Sequence, residues 1–399
     1  MTSDIRVDEQ GRQSARFLWL YALAAAGGAV AYVPFLTILL PERVAQFAGT
    51  QAVNVLAYAA FAGAIAASLA NIGFGWVSDR TRARRPWIAV GLALSGMLLV
   101  AMRNVESLAV LIPLLVAWQV ALNMMLAPLA AWAGDRVPDA QKGMLGGLLA
   151  FAPALGALSG AIVTMPGLAD ADTRLLLIAG LVAIMVMPVL LLGDPRPMPQ
   201  LMVDPEPVDA EARRERSGPV ARMWLARLLV QIAEAALFAF LLFWFRSIDA
   251  SVTGNYAARI FSFVLGASVP VALFAGRWSD RTGKPVMPLI LGAGFGAVGL
   301  VIMAIATEMD TAIAGYVLFG LATSIFLALH SSQTLRVLPR PSTRGRDLGF
   351  FNLTNTVPSL IMPWLTLALV PVFGFDALFW LLAALSAAAC ALLLSLRRI

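Results

Sequence analysis

Apolar runs long enough to cross a lipid bilayer follow one another from near the start of this chain to near its end. They lie near 17–40, 51–77, 86–102, 107–133, 144–166, 173–193, 219–245, 251–277, 286–307, 311–335, 346–370 and 375–396. A spanning helix needs about 20 mostly apolar residues. The runs are continuous rather than alternating, which predicts helices and not barrel strands. Mean hydropathy is +0.82 and only 13% of residues are charged, more apolar surface than a soluble domain can hide. The expected fold class is an all-α integral membrane protein with twelve transmembrane helices.

The first run is too long for the core of a cleaved signal, and a polar tail over 1–16 precedes it. Cys390 is the single cysteine, so no internal disulfide can form. The pI near 10.1 is better explained by basic cytoplasmic loops than by nucleic acid. With the N-terminus inside, about 22 of the 29 Lys and Arg fall on the cytoplasmic side. The outer loops then hold Arg43, Arg103, Arg174 and Arg246. This asymmetry predicts both termini in the cytoplasm and an even number of spans.

The longest polar break is GDPRPMPQLMVDPEPVDAEARRERSG, from Gly193 to Gly218. Its prolines and mixed charge mark a linker, with a short surface helix expected near 208–216. The chain is thereby divided into a cytoplasmic tail over 1–16, a six-helix bundle over 17–193, a cytoplasmic linker over 194–218 and a second six-helix bundle over 219–399. The two halves repeat. GWVSDRTRARRPWIAVG runs from Gly75, and GRWSDRTGKPVMPLILG from Gly276, with SDRT unbroken in both. RVPDAQKG from Arg136 and RVLPRPSTRG from Arg336 fall at nearly the same offset. The bundles are therefore expected to be pseudo-symmetric and parallel, a pattern of transporters with a solute site between repeats near mid-membrane.

On these residues the chain resembles the major facilitator superfamily, whose loop motif G-x-x-x-D-R/K-x-G-R/K-R/K lies between spans two and three and often recurs between eight and nine. Gly276, Asp280, Arg281, Gly283 and Lys284 match it well. Gly75, Asp79, Arg80, Arg84 and Arg85 match without the inner glycine, since Arg82 stands there. The form DRTRARRPW, and GRDLGFFNLTNTVPSLIMP over 345–363, are similar to sugar–cation symporters of the sucrose–proton and glycoside–pentoside–hexuronide type. The resemblance implies that the twin loops form a cytoplasmic latch for the outward-facing state. In physical terms, Asp79 can pair with Arg80, Arg84 or Arg85, or accept hydrogen bonds from the N-terminus of a neighbouring helix. The plainer alternative is a solvated charge run that fixes topology.

Ionisable residues inside spans are costly and usually functional. Glu234 is the acidic residue at the middle of a span and the candidate proton or cation site. Arg227, Gln231 and Glu234 are spaced four and three apart, so one helix face carries all three. A fixed structural pair between Glu234 and Arg259 is the alternative. Gln119 and Asn123, with Trp118 beside them, suit sugar hydroxyls, and serve equally as interhelical hydrogen bonders. Tyr21, Tyr32 and Phe35 are further candidates to line a cavity. Asn352, Asn355 and the lone His330 read as helix-packing residues, and Trp19 and Trp244 as interface anchors. FAPALGALSG over 151–160 is a weak match to a drug-antiporter motif, with Ala152 and Ala157 where glycines belong.

No phosphate-binding loop, metal-ligand spacing or nucleophile–histidine arrangement is evident, so neither an enzyme nor a cofactor is expected. The expectation is a proton-coupled (rather than sodium-coupled) uptake system for a sugar or glycoside, acting by alternating access as a monomer. Efflux of amphipathic compounds and a non-transporting receptor or scaffold remain alternatives. Arginine-rich, alanine-rich composition and short loops suggest a bacterial inner membrane.

Overall fold

The computed structural model describes residues 11–165, 167–204, 210–252, 254–338 and 340–396, and their regular structure is entirely helical. Helix α1 (Ala15–Pro34) starts at Ser14, whose hydroxyl accepts from the Phe17 amide at 3.2 Å, the cap that a helix N-terminus requires. Pro34 has no amide proton to give, and a π turn over Phe35–Leu39 follows before α2 (Leu40–Ala48). Next come α3 (Ala52–Thr81), α4 (Arg85–Ala101) and α5 (Leu108–Arg136). Then follow α6 (Lys142–Leu149), α7 (Phe151–Val163) and α8 (Ala171–Leu192). The second half holds α9 (Ala210–Ile248), α10 (Gly254–Thr282), α11 (Met287–Ala304), α12 (Met309–Val337) and α13 (Arg344–Leu396).

Among the described residues ten helical segments are long and apolar enough to span a membrane, or eleven if the arms of α9, bent by 58°, count as one span. Their outward faces carry large apolar side chains such as Tyr58 and Phe274, 75% and 72% exposed, as lipid contact demands. The stretch expected near 346–370 is the more polar first arm of α13, with Asn352, Thr354 and Asn355, and is not among the ten. The helix breaks at Gly374, whose φ of 75° is open to glycine and strained for other residues. Of the surface helix expected near 208–216, residues 208 and 209 lie outside the described residues, and the remainder belongs to α9.

The chain forms two compact units, and each borrows a segment from the other half of the sequence. One comprises Met1–Pro138, Phe151–Pro205 and Arg340–Asn352; the other comprises Asp139–Ala150, Glu206–Pro339 and Leu353–Ile399. In the first unit α5 packs on α3 and α4, and α1 on α7 and α8. In the second, α12 packs on α11, α10 and α6. The α4–α5 and α11–α12 contacts are equivalent, and the repeat explains why. Its closing glycines, Gly91 and Gly292, sit where a Cβ would press on the Met124–Met125 backbone of α5 or on Ala322 and Phe326 of α12. Small residues allow such close helix approach in membranes.

Each unit has an aromatic core. Trp118 meets Phe35 edge-on at 4.8 Å in the first. In the second, Trp244 meets Phe379 edge-on at 4.7 Å, within a cluster that includes Phe245, Tyr316 and Phe319. Trp244 is thus a core residue, 2% exposed, and not the interface anchor its position near a helix end predicts. Trp19, 49% exposed, keeps the accessibility an anchor needs.

Candidate functional site

The two SDRT turns end α3 and α10 in the same way. The helix must reverse direction immediately after the threonine, which calls for a left-handed residue two positions on or less. Gly283 supplies it at φ 63° and Arg82 at φ 51°. The missing glycine of the first copy is therefore replaced in conformation as well as in sequence, at a strain of about 1–2 kcal/mol for a non-glycine residue.

This geometry leaves each aspartate one turn back and aimed at a helix N-terminus. Asp79 accepts from the amides of Gly345 and Arg346, both at 2.9 Å, in the first turn of α13. Asp280 accepts from the amides of Gly143 and Met144 at 2.8 and 2.7 Å, in the first turn of α6. Such a carboxylate satisfies two orphan donors and meets the positive end of the helix dipole. The approach is possible because the backbones nearly touch. A Cβ on Gly75 would fall on the Gly345 carbonyl, and one on Gly143 on the Gly276 carbonyl.

Around the first cap the charges form a buried chain. Arg84 Nη2 meets Asp79 Oδ1 at 2.7 Å, and its Nε meets Asp135 Oδ2 at 2.9 Å. Arg344 Nη1 meets Asp135 Oδ1 at 2.6 Å. All four residues are at most 9% exposed. Two carboxylates and two guanidinium groups cancel, which is the condition for keeping charges in so dry a place. Burial works against the charge of Arg84, but Asp135 and then Asp79 outweigh it and hold the guanidinium above its ordinary value. Of the three basic partners open to Asp79, the fold selects Arg84. Arg80 lies over the Trp76 ring at 5.8 Å, and Arg85 over Trp132 at 5.6 Å while donating to the Leu190 carbonyl at 2.8 Å.

The second cap has basic partners of its own. Arg336 Nη2 stands 3.3 Å from Asp280 Oδ1, and Lys142 pairs with Asp139 and donates to the Leu335 carbonyl at 3.2 Å. Arg281 and Lys284 stay exposed. Sequence reasoning passed over Asp135 and Arg344. A signal for the latter was present: a basic residue precedes the capped glycine in both halves, as Lys142–Gly143 and Arg344–Gly345.

A different polar cluster joins α9, α12 and α13 of the second unit. Arg227 on α9 donates to Ser331 Oγ at 3.1 Å and to the Leu327 carbonyl at 3.4 Å on α12, and to Asn355 Oδ1 at 3.2 Å on α13. Its Nη1 also lies 3.4 Å from His330 Nδ1. Gln231 Nε2 donates to the same Asn355 oxygen at 3.3 Å. His330 Nε2 is 3.0 Å from the Met223 carbonyl, so that nitrogen carries the proton, and Nδ1 is an acceptor 3.0 Å from Thr334 Oγ1 and 3.4 Å from Arg227 Nη1. Glu234 is partly buried on the same helix, with Arg227 and Tyr316 as its electrostatic neighbours. Among the described residues no ion pair joins it to Arg259, which is exposed on α10. Asn355 and His330, assigned to packing by sequence, are thus gathered onto the Arg227 guanidinium.

The candidates in the first unit are differently placed. The Asn71 amide donates to Asn123 Oδ1 at 2.8 Å, so Asn123 ties α5 to α3, and Gln119 packs beside Gly63 of α3. Trp118 and Phe35 are buried at 1% and 2%, and Tyr32 is 39% exposed. Trp118 forms one wall of an apolar cavity of about 690 Å³ bounded by α1, α4 and α8. Tyr21 donates to the Leu129 carbonyl at 3.1 Å. In the weak drug-antiporter match, Gly156 packs against Ala29 and Val33 of α1, a small-residue contact between helices. Among the described residues no group of three or more His, Cys, Asp or Glu is placed to hold a metal.

These features belong to a known class of fold. Residues 223–399 match the family model described as Major Facilitator Superfamily. The fold over nearly the whole chain is similar to that of the human organic anion transporter MFSD10, with a TM-score of 0.73 at 14% identity over 95% of this chain and 99% of that one. It is equally similar to a bacterial homologue of the iron transporter ferroportin, with a TM-score of 0.72 at 16% identity over 95% and 98%. The proton:xylose symporter XylE aligns with a TM-score of 0.72 at 13% identity over 95% of each chain. A search of curated proteins returned no match to the sequence. At these identities the likeness defines the fold, that of major facilitator transporters, and leaves the solute open.

Proposed function

We propose that the protein is a secondary active transporter that moves a small polar solute by alternating access, coupled to protons. The observation that carries this reading is the cluster of Arg227, Gln231, His330 and Asn355 joining α9, α12 and α13, with Glu234 farther along α9. Charged and amide groups within a membrane fold are expensive unless they bind something or move charge. Glu234 is the coupling carboxyl in this reading, because it has no ion-pair partner among the described residues to fix its charge. Sugars or glycosides are the favoured solutes, on the strength of the motif resemblance and the amides at Gln231 and Asn355. The architecture proposed is twelve spans in two six-helix bundles, 17–193 and 219–399, in a bacterial inner membrane with both termini cytoplasmic. The twin aspartate caps act as the latch: they hold in one state and release in the other, driven by binding energy that differs between states.

The test is proton movement in proteoliposomes carrying a trapped pH dye, with mono- and disaccharides added to wild type and to Glu234→Gln. Proton entry with sugar in wild type alone is the expected result. Entry in both variants would return Glu234 to a structural role. No entry with any sugar would remove sugar symport and leave efflux or a non-transporting scaffold to be separated by solute flux.

A further inference from the structure

The two units are not filled alike where their matching helices meet lipid. In the first, the cavity of about 690 Å³ is a groove that opens between α4 and α8. Its walls carry small side chains, Ala89, Ala93 and Gly96 on α4 and Ala179 and Ala183 on α8, and the buried Trp118 lies at its floor. A Cβ built on Gly96 would meet nothing within 4 Å. Ser95 is the polar residue of the lining, and its hydroxyl is already spent on the Leu92 carbonyl at 3.2 Å.

The internal repeat supplies a control. Counted from Gly75 and Gly276, Arg85, Ala89 and Ala93 correspond to Val286, Ile290 and Gly294. Ile290 is only 6% exposed, and the Cys390 thiol of α13 donates to its carbonyl at 3.5 Å. A Cβ on Gly294 would lie 3.6 Å from the same sulfur. There the last helix closes on α11. The groove is a departure of the first half from its own repeat, and the arginine departs with it.

The groove has a charged end. Ala89 is one turn past Arg85 on the same face of α4. Arg85 Nη2 donates at 2.8 Å to the carbonyl of Leu190, itself a lining residue, and the guanidinium lies over the Trp132 ring at 5.6 Å. Arg85 is thereby pinned at the rim while staying exposed. Arg80 and Arg82, exposed on the preceding turn, add positive charge, against Asp194 past the end of α8. Trp76 and Trp87 stand at the same level, where indoles collect beside lipid headgroups. From Ala89 to Val100 the α4 wall runs roughly 16 Å at about 1.5 Å per residue, half of a hydrocarbon core about 30 Å thick. The groove therefore has the depth of one leaflet.

We propose that this groove binds one anionic phospholipid of the leaflet that meets the SDRT turns, with its phosphate on Arg85 and an acyl chain along the α4 wall toward Trp118. Replacing one lipid chain by another in an apolar groove gains little, since both surroundings are equally apolar. Selection comes from the charged end, where basic residues between helices attract anionic headgroups. A zwitterionic headgroup would bring a second cation to a rim that is already positive. The site is independent of which solute is moved, and it uses neither of the aspartates that cap α13 and α6.

The experiment uses the full chain, delipidated in detergent and titrated with phosphatidylglycerol, phosphatidylethanolamine and phosphatidylcholine of identical chains. Native mass spectrometry counts the lipid retained. The expected result is one phosphatidylglycerol, held about ten-fold more tightly than either zwitterionic lipid. Arg85→Gln should bring the three lipids to within a few-fold of one another. Gly96→Leu should weaken all three by filling the groove, whereas Ala297→Leu, at the matching position of α11, should not. Leucine is a better helix former than glycine and meets no neighbour at 96, so the lipid-free thermal midpoint of Gly96→Leu should not fall. A photoactivatable acyl chain should label α4 and α8. Equal retention of the three lipids, a preference that survives Arg85→Gln, no effect of Gly96→Leu, or labelling elsewhere would each overturn the proposal. Glycerol phosphate should fail to compete; if it displaces the lipid, the site belongs to free phosphate esters and the lipid is removed from it.

Discussion

Arg84 and Arg227 are the same side chain under opposite conditions. Arg84 is held between two carboxylates at 2.7 and 2.9 Å, and Arg344 completes the neutralisation. Arg227 is held by neutral groups at longer range. The first arrangement is closed, since each charge already has its counter-charge. Removing one member leaves another buried and uncompensated. The second has no carboxylate in contact among the described residues, and its charge is held by neutral acceptors. Arginines with and without a carboxylate in contact are separated by the structure, whereas the sequence presents both as a basic residue near apolar ones.

The comparison breaks first at Asp135. Asp135→Asn leaves Arg84 and Arg344 short of a partner and should cost about 3–5 kcal/mol, the usual scale for breaking a buried ion pair from one side. Arg227→Gln should cost less, about 1–3 kcal/mol, the scale of losing hydrogen bonds to a charged group. Thermal unfolding of both variants in one detergent decides it, and equal losses would dissolve the distinction between the two arginines.

A smaller difference is expected between the two caps. Losing a helix N-cap costs about 0.5–2 kcal/mol. Asp280→Asn should fall in that range. Asp79→Asn should exceed it, because Asp79 also neutralises the buried Arg84 at 2.7 Å, a closer and drier pair than Asp280 with Arg336 at 3.3 Å. Both should slow solute exchange in proteoliposomes while leaving solute affinity within a few-fold. Unchanged rates in both variants would remove the latch.

The smallest effect concerns the turn itself. Arg82→Gly should raise stability by about 1 kcal/mol by relieving a left-handed non-glycine residue, and Gly283→Arg should lower it by a similar amount. A loss of stability in Arg82→Gly would mean that the Arg82 side chain makes a contribution larger than the strain.

Much of this molecule was legible in one dimension. Apolar runs mark the spans because lipid offers no hydrogen bonds and leaves the helix as the available continuous structure. The internal repeat marked equivalent turns, and both aspartates proved to cap helix N-termini through Gly345, Arg346, Gly143 and Met144. Glycines at both ends of the repeat were also visible, although their reason, a neighbouring backbone in near contact, was not.

Partner choice was decided by the tertiary structure alone. Asp79 had three nearby arginines, and the turn at Arg82 aims Arg84 inward while Arg80 and Arg85 lie on tryptophan rings. Asn123 ties helices together through Asn71, whereas Asn355, which reads the same way in sequence, joins the Arg227 cluster. Trp244 and Trp19 both stand near helix ends, yet one fills a core and the other stays exposed. The physical reason is common to all of these. A helix that is apolar on every side carries no stripe to fix its rotation. Hydropathy therefore determined which residues enter the membrane, and only the packing of one helix against another determined which way each polar side chain faces.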